Sequence, residues 1–160
     1  MKNHVKLTGP SNQLKLSQDD QIASMRHNIS SGTKWESEVG YSRLVKIGPL
    51  IFISGTTAVD ENGDIVGEGD PYKQTIYIIH KIDKTLERIG ANLSSIARTR
   101  IFTTNIDEWR QIGRAHAEYF KDIGPVTTMV EVKSLLQPEL IVEVEADAVI
   151  VEYEGNRYGF

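Results

Sequence analysis

Between Leu140 and Val151 the chain alternates with a period of two. Leu140, Val142, Val144, Ala146, Ala148 and Ile150 fall on one face, and Ile141, Glu143, Glu145, Asp147, Val149 and Val151 on the other. This pattern predicts a long strand with one apolar face that packs on a second layer. The opposite face carries carboxylates at Glu143, Glu145 and Asp147. Same-face neighbours on a strand stand about 7 Å apart, so these charges need solvent or cationic partners. Arg98 and Arg100 share one face of a second predicted strand, Ile96–Thr104, and supply the opposite sign.

The other elements follow from the same kind of pattern. Ser42–Ile47 and Leu50–Ser54 read as strands joined by a turn at Gly48-Pro49, and Asn62-Gly63 marks a tight turn. Asp70 and Pro71 open a helix whose apolar stripe is Ile78, Ile79, Ile82, Leu86 and Ile89 and whose stop is Gly90. A second helix is expected from an Asp107 cap to about Asp122, with Trp109, Ile112, Ala115, Tyr119 and Phe120 on its apolar side. Val126–Val132 is a strand, read with Thr127, Met129 and Glu131 on the charged face of the sheet. Two helices with one apolar stripe each can cover one face of a mixed sheet, which gives a two-layer α+β domain over 41–152. Residues 1–40 read as a partly irregular extension, with a turn at Gly9–Asn12, and 153–160 as a tail. The uncovered sheet face mixes apolar and charged groups, which suits a subunit interface with embedded pockets.

Composition narrows the classes. The 160 residues suffice for one core, and the absence of cysteine removes disulfides, thiolate metal sites and a cysteine nucleophile. No apolar run has the length of a membrane helix and the first residues carry no apolar signal core, so a cytoplasmic protein is expected. A net charge of −4 disfavours nucleic acid as a partner. His4, His27, His80 and His116 show no ligand spacing, and no metal or organic cofactor is expected. His116, in the middle of the second helix, reads as a packing or surface residue, and Trp35 and Trp109 read as packing residues.

Four segments then occur in order: Gly40-Tyr41-Ser42; Phe52-Ile53-Ser54-Gly55; Gly124-Pro125-Val126-Thr127-Thr128-Met129-Val130-Glu131; and Val142-Glu143-Val144-Glu145-Ala146. Together they resemble the RidA (YjgF, "endoribonuclease L-PSP") family of enamine/imine deaminases over roughly residues 40–151. The resemblance implies a chorismate-mutase-like fold, a homotrimer whose sheets line a central barrel, and small-molecule clefts between subunits. It implies a ligand site at Tyr41, Arg43, Gly55, Thr56, Asp107, Thr127 and Met129, with Glu143 as the catalytic carboxylate. The family motif carries a substrate-gripping arginine two residues after the proline, and Thr127 stands there. Threonine cannot replace the two charge-assisted bonds a guanidinium makes to a carboxylate. The resemblance therefore implies a divergent subgroup with an altered substrate.

Two residues carry paired readings. Arg43 shares a face with Tyr41 in extended chain and either contacts a ligand anion or pairs with a surface carboxylate. Glu143 either shuttles protons, its acidity weakened by Glu145 and burial, or forms an interface ion pair with Arg98 or Arg100. Three functions are weighed: a cofactor-free deaminase with a changed substrate, a non-catalytic trimeric module that binds a small metabolite, and a ribonuclease. The ribonuclease ranks last, because the acidic chain offers no basic footprint.

Overall fold

The computed structural model describes residues 17–151. The turn read at Gly9–Asn12 and the tail at 153–160 lie outside the described residues. In chain order the elements are α1 (Gln18–Met25), β1 (Arg26–Ile29), α2 (Lys34–Val39), β2 (Leu44–Ile47), β3 (Leu50–Thr57), α3 (Pro71–Glu87), β4 (Ile96–Thr103), α4 (Trp109–Phe120), β5 (Val126–Glu131) and β6 (Val142–Val149). The six strands form one sheet in the order β1-β2-β3-β6-β4-β5. Every pairing is antiparallel except β4 with β5, which is parallel. Helices α3 and α4 pack on each other and α3 packs on β3 and β6. This is the two-layer α+β arrangement that the alternation predicted.

β6 sits between β3 and β4, so its apolar face lies at the middle of the core. Val142, Val144, Ala146 and Ala148 are buried there with Ile51, Ile53, Ile101, Ile78, Ile79, Ile82 and Ile112. α3 begins where its sequence demands: the Asp70 side chain accepts from the Lys73 amide and Pro71 holds the first helical position. Gln74 on α3 is fully buried. Its amide nitrogen donates to the carbonyls of Glu139 (2.8 Å) and Gly67 (3.3 Å), and its carbonyl accepts from the amides of Ile141 (2.8 Å) and Val142 (3.3 Å). One side chain thus satisfies backbone groups at the entry to β6 that no sheet neighbour reaches.

The structure departs from the sequence reading at four places. The sheet begins at Arg26, not near Tyr41: β1 pairs with β2 and only Ile29 of its four residues packs on the core, so it carries no apolar alternation to read. On β5 the faces are exchanged. The parallel register sets Thr127 beside Thr99, Met129 beside Ile101 and Glu131 beside Thr103, all on the helix-covered face. Val126, Thr128 and Val130 lie with Arg98, Arg100 and Phe102 on the open face instead. Asp107 does not cap the second helix; it lies in a short 3-10 turn, Ile106–Glu108, whose cap is Asn105, the side chain accepting from the Asp107 amide. Trp109 and Trp35 are each 49% exposed, so neither is a core residue; the Arg110 guanidinium lies over the Trp109 ring at 4.5 Å.

The open face carries Leu50, Phe52, Val126, Val130 and Val149, all exposed, around a charged centre. Arg100 bonds Glu145 at 2.8 Å and Asp147 at 3.2 Å, and Arg98 stands 3.7 Å from Asp147. Two of the three carboxylates of β6 are therefore partnered by the arginines that share their face.

Replacing Gln74 by methionine keeps its approximate volume but strips partners from buried backbone groups. We expect Gln74→Met to cost about 2–4 kcal/mol, against about 1 kcal/mol for Ile79→Val, a smaller excision from the same core. Urea unfolding of the two variants checks the order; equal costs would show that the Gln74 bonds carry no special weight.

Candidate functional site

The third carboxylate, Glu143, has a different environment. Among the described residues no ion pair joins it to Arg98 or Arg100 of its own chain, which bind Asp147 and Glu145 instead. It lies opposite Thr57 on β3 and Phe102 on β4. Between Ile53 and Thr56 the β3–β6 register slips by one residue. The chain there is Ser54-Gly55, and the bulge brings the backbone onto Glu143. A Cβ on Gly55 would stand 1.9 Å from Glu143 Oε1. Only glycine leaves room for that carboxylate, which explains the Ser-Gly pair in the sequence.

Arg43 precedes β2 and reaches the same bulge. Its Nη1 donates to the Gly55 carbonyl at 2.6 Å, to Ser54 Oγ at 3.1 Å and to Thr56 Oγ1 at 3.4 Å. Its Nη2 donates to the Tyr41 hydroxyl at 3.4 Å. Its side chain is only 13% exposed, and its Nε stands 3.9 Å from Glu36 Oε1. The nearest carboxylate is thus buried, not the surface group the ordinary reading supposed. Glu36 sits on α2 and is held by the amide and hydroxyl of Ser31 and the hydroxyl of Ser30. Burial opposes its charge, but these donors and Arg43 win and hold its pKa low.

Glu143 goes the other way. Burial raises its pKa; the Arg43 charge pulls it down, and Glu145 adds to the rise, with a net upward result. Lys81 completes the electrostatics. Its ammonium donates to the carbonyls of Val59 (2.5 Å) and Thr57 (3.1 Å), just past the bulge. Burial, with help from the Arg43 charge, lowers its pKa to about 8.

Tyr41, Arg43, Gly55, Thr56 and Glu143 therefore assemble around the β3 bulge. A groove of about 410 Å³ opens beside them on the charged face, lined by Tyr41, Val45, Phe52, Ser54, Arg100 and Glu145 among others. Thr127 and Met129 do not join this group. They sit on the edge strand β5, with β4 between it and β6, and on the helix-covered face. Asp107 lies in the exposed turn before α4. A single chain does not bring the two groups together. Sequence reasoning missed Glu36 and Lys81: Glu36 falls in the stretch taken as an extension, and Lys81 reads as an ordinary polar helix residue.

Comparison with known proteins fits this fold. The family model described as Endoribonuclease L-PSP matches residues 32–150. An uncharacterized protein of Streptomyces coelicolor is 35% identical over 121 residues, covering 75% of this chain and 89% of its own length. The 3-aminoacrylate deaminase RutC of Acinetobacter baylyi is 29% identical, covering 68% of this chain and 85% of its own. Among solved structures, Rv2704 of Mycobacterium tuberculosis, a member of the YjgF/YER057c/UK114 family, shares 45% identity at a TM-score of 0.71, covering 78% of this chain and 99% of its own. The chain belongs to the RidA (YjgF) family.

The Glu143 environment has a consequence for stability. A folded-state pKa above the unfolded value means that the native state binds the proton more tightly. The associated stability is full below the ordinary value of 4.5 and is lost as pH rises through the folded value. Glu143→Gln should therefore gain stability relative to wild type between pH ~4 and pH ~7. Thermal melts at both ends check this; a Tm difference that does not grow with pH would contradict the raised pKa.

Proposed function

We propose that this chain hydrolyses reactive imines to a carbonyl compound and ammonia, with a substrate that differs from a 2-imino acid. One observation carries the reading: Glu143 is a half-buried carboxylate with a raised pKa, pressed against a glycine bulge and flanked by Arg43 and Tyr41. Imine hydrolysis adds a water oxygen to the C=N carbon and later breaks the C–N bond. Both water protons leave the oxygen in turn, one as it attacks and one as the carbonyl forms, and both end on the nitrogen, which departs as ammonia. A carboxyl group whose pKa lies nearer neutrality performs both transfers better than an ordinary glutamate. The Tyr41 hydroxyl and the Arg43 guanidinium then orient polar atoms of the bound molecule at the bulge.

Family membership and the name of the Acinetobacter relative support a deaminase-type role. In a homotrimer the bulge group of one subunit would meet the Thr127–Met129 edge of the next, and the cleft would contain both. A complete cleft thus requires self-association, and light scattering should give three times the 17.9 kDa chain mass. A monomer would sink the cleft.

A second reading, a non-catalytic module that binds a small metabolite in the same place, draws on one feature: Thr127 stands where the family motif has its arginine. The ribonuclease reading ranks below both, because a net charge of −4 disfavours holding a phosphate chain.

Imines generated by an amino acid oxidase, with survivors trapped by semicarbazide, separate the readings. We expect wild type to hydrolyse imines and Glu143→Gln to lose about a hundredfold or more. A wild type inert toward acidic and uncharged imines alike would favour the binding module.

A further inference from the structure

Three side chains away from the Glu143 bulge form one chain of hydrogen bonds. His116 on α4 places Nε2 3.0 Å from the Thr99 hydroxyl on β4. That hydroxyl lies 2.9 Å from the Thr127 hydroxyl on β5. Thr127 Oγ1 in turn lies 3.2 Å from the Pro125 carbonyl and donates to it. Thr99 is fully buried, whereas Thr127 is exposed on the edge strand. The contacts link a helix, a central strand and the free edge of the sheet.

Counting protons fixes the direction. A carbonyl only accepts, so the Thr127 proton belongs to Pro125. The contact between the two hydroxyls then needs the Thr99 proton. With that proton spent, the contact between Thr99 and His116 needs a hydrogen on Nε2. If Nε2 accepted instead, Thr99 would donate to it, Thr127 would donate to Thr99, and the Pro125 carbonyl would lose its proton. Only the Nε2–H form of His116 satisfies all three contacts. Burial favours the neutral imidazole by lowering its pKa, and the ring stacks on Phe120 with centroids 4.5 Å apart. Nδ1 is then bare.

The end of the chain is what matters for binding. Thr127 receives one hydrogen bond and gives its only proton away, so its remaining capacity at the sheet edge is a lone pair. We propose that Thr127 is a specificity-determining residue that presents an acceptor, oriented by Thr99 and His116 as positioning residues, and that the cleft selects a substrate with an uncharged N–H donor, of the carboxamide class, over a carboxylate. A carboxylate oxygen would meet a lone pair; an amide N–H would meet an acceptor already aligned. This rests on the reading of Thr127 as a cleft residue and deepens it by assigning the ligand class.

The test does not depend on turnover. Nitrogen chemical shifts of the His116 ring in the full chain, assigned by their loss in His116→Gln, should report a neutral Nε2–H imidazole at neutral pH. Pyruvamide and pyruvate, the carbonyl products of an imino amide and of its acid, serve as paired binding probes followed at the Thr127 methyl. We expect pyruvamide to bind about tenfold or more tightly than pyruvate. Thr99→Val should erase that ratio, Thr99→Ser should retain it, and Thr127→Arg should invert it. A lost fold would remove both bindings rather than their ratio, so the ratio reports orientation. An Nδ1–H tautomer, pyruvate binding equal to or tighter than pyruvamide, or no binding of either overturns the proposal. Amide preference without hydrolysis of any imine sinks the deaminase reading and leaves this one standing; hydrolysis without amide preference does the reverse.

Discussion

The fold and the site both hang on β6 being the strand that β3 and β4 flank, with alternate residues committed to opposite faces. Its even positions close the core against α3. Its odd positions raise three carboxylates on the other face, and each meets a different neighbour. Asp147 and Glu145 meet guanidinium groups from β4. Glu143 meets a bulge in β3. One strand thus raises two ion-paired carboxylates and one held against a bulge from the same repeat.

The bulge makes the difference. Any larger residue at Gly55 would place a Cβ on Glu143, and the carboxylate would be driven off. With Gly55 there, the acid is held against backbone, partly shielded from water, while Arg43 ties the same bulge to Tyr41 through its two terminal nitrogens. Arg43 itself is steadied by Glu36 from α2, so that helix belongs to the site's support. Burial, and after it the nearby Arg43 charge, depress the pKa of Lys81, whose ammonium is partly compensated by two backbone carbonyls.

Much of this was legible in the sequence, for definite reasons. β6 declares itself because both faces differ in polarity, and α3 because its cap, first proline and apolar stripe agree. The cluster of Tyr41, Arg43, Gly55, Thr56 and Glu143 was named from motif positions, and the structure collects those residues. β5 was misread because it mixes apolar and polar residues on both faces. Val126 and Val130 invite burial, yet they sit on the open face, and only the parallel register with β4 decides it. β1 was missed because Arg-His-Asn-Ile carries no period. The Asp107 cap failed because Asn105, two residues earlier, starts a 3-10 turn first. Trp109 matches the helical stripe by spacing but stands at the first residue of α4, where half of it stays in water.

The separation of the two half-sites is itself a constraint on function. Glu143 and Arg43 gather where β2, β3 and β6 meet, while Thr127 and Met129 stand at the β5 edge and on the opposite face. No side-chain rotation joins them within one chain, because β4 stands between β6 and β5. If both halves serve one ligand, a second copy must supply one of them. The open face is built for such contact: exposed Leu50, Phe52, Val126, Val130 and Val149 surround partnered charges, a pattern that favours burial against another protein over permanent exposure to water. Under that arrangement Glu143 and Thr127 belong to different subunits. A substitution at Thr127 is remote from the bulge in its own chain, so the β5 edge can diverge while Glu143 keeps its environment.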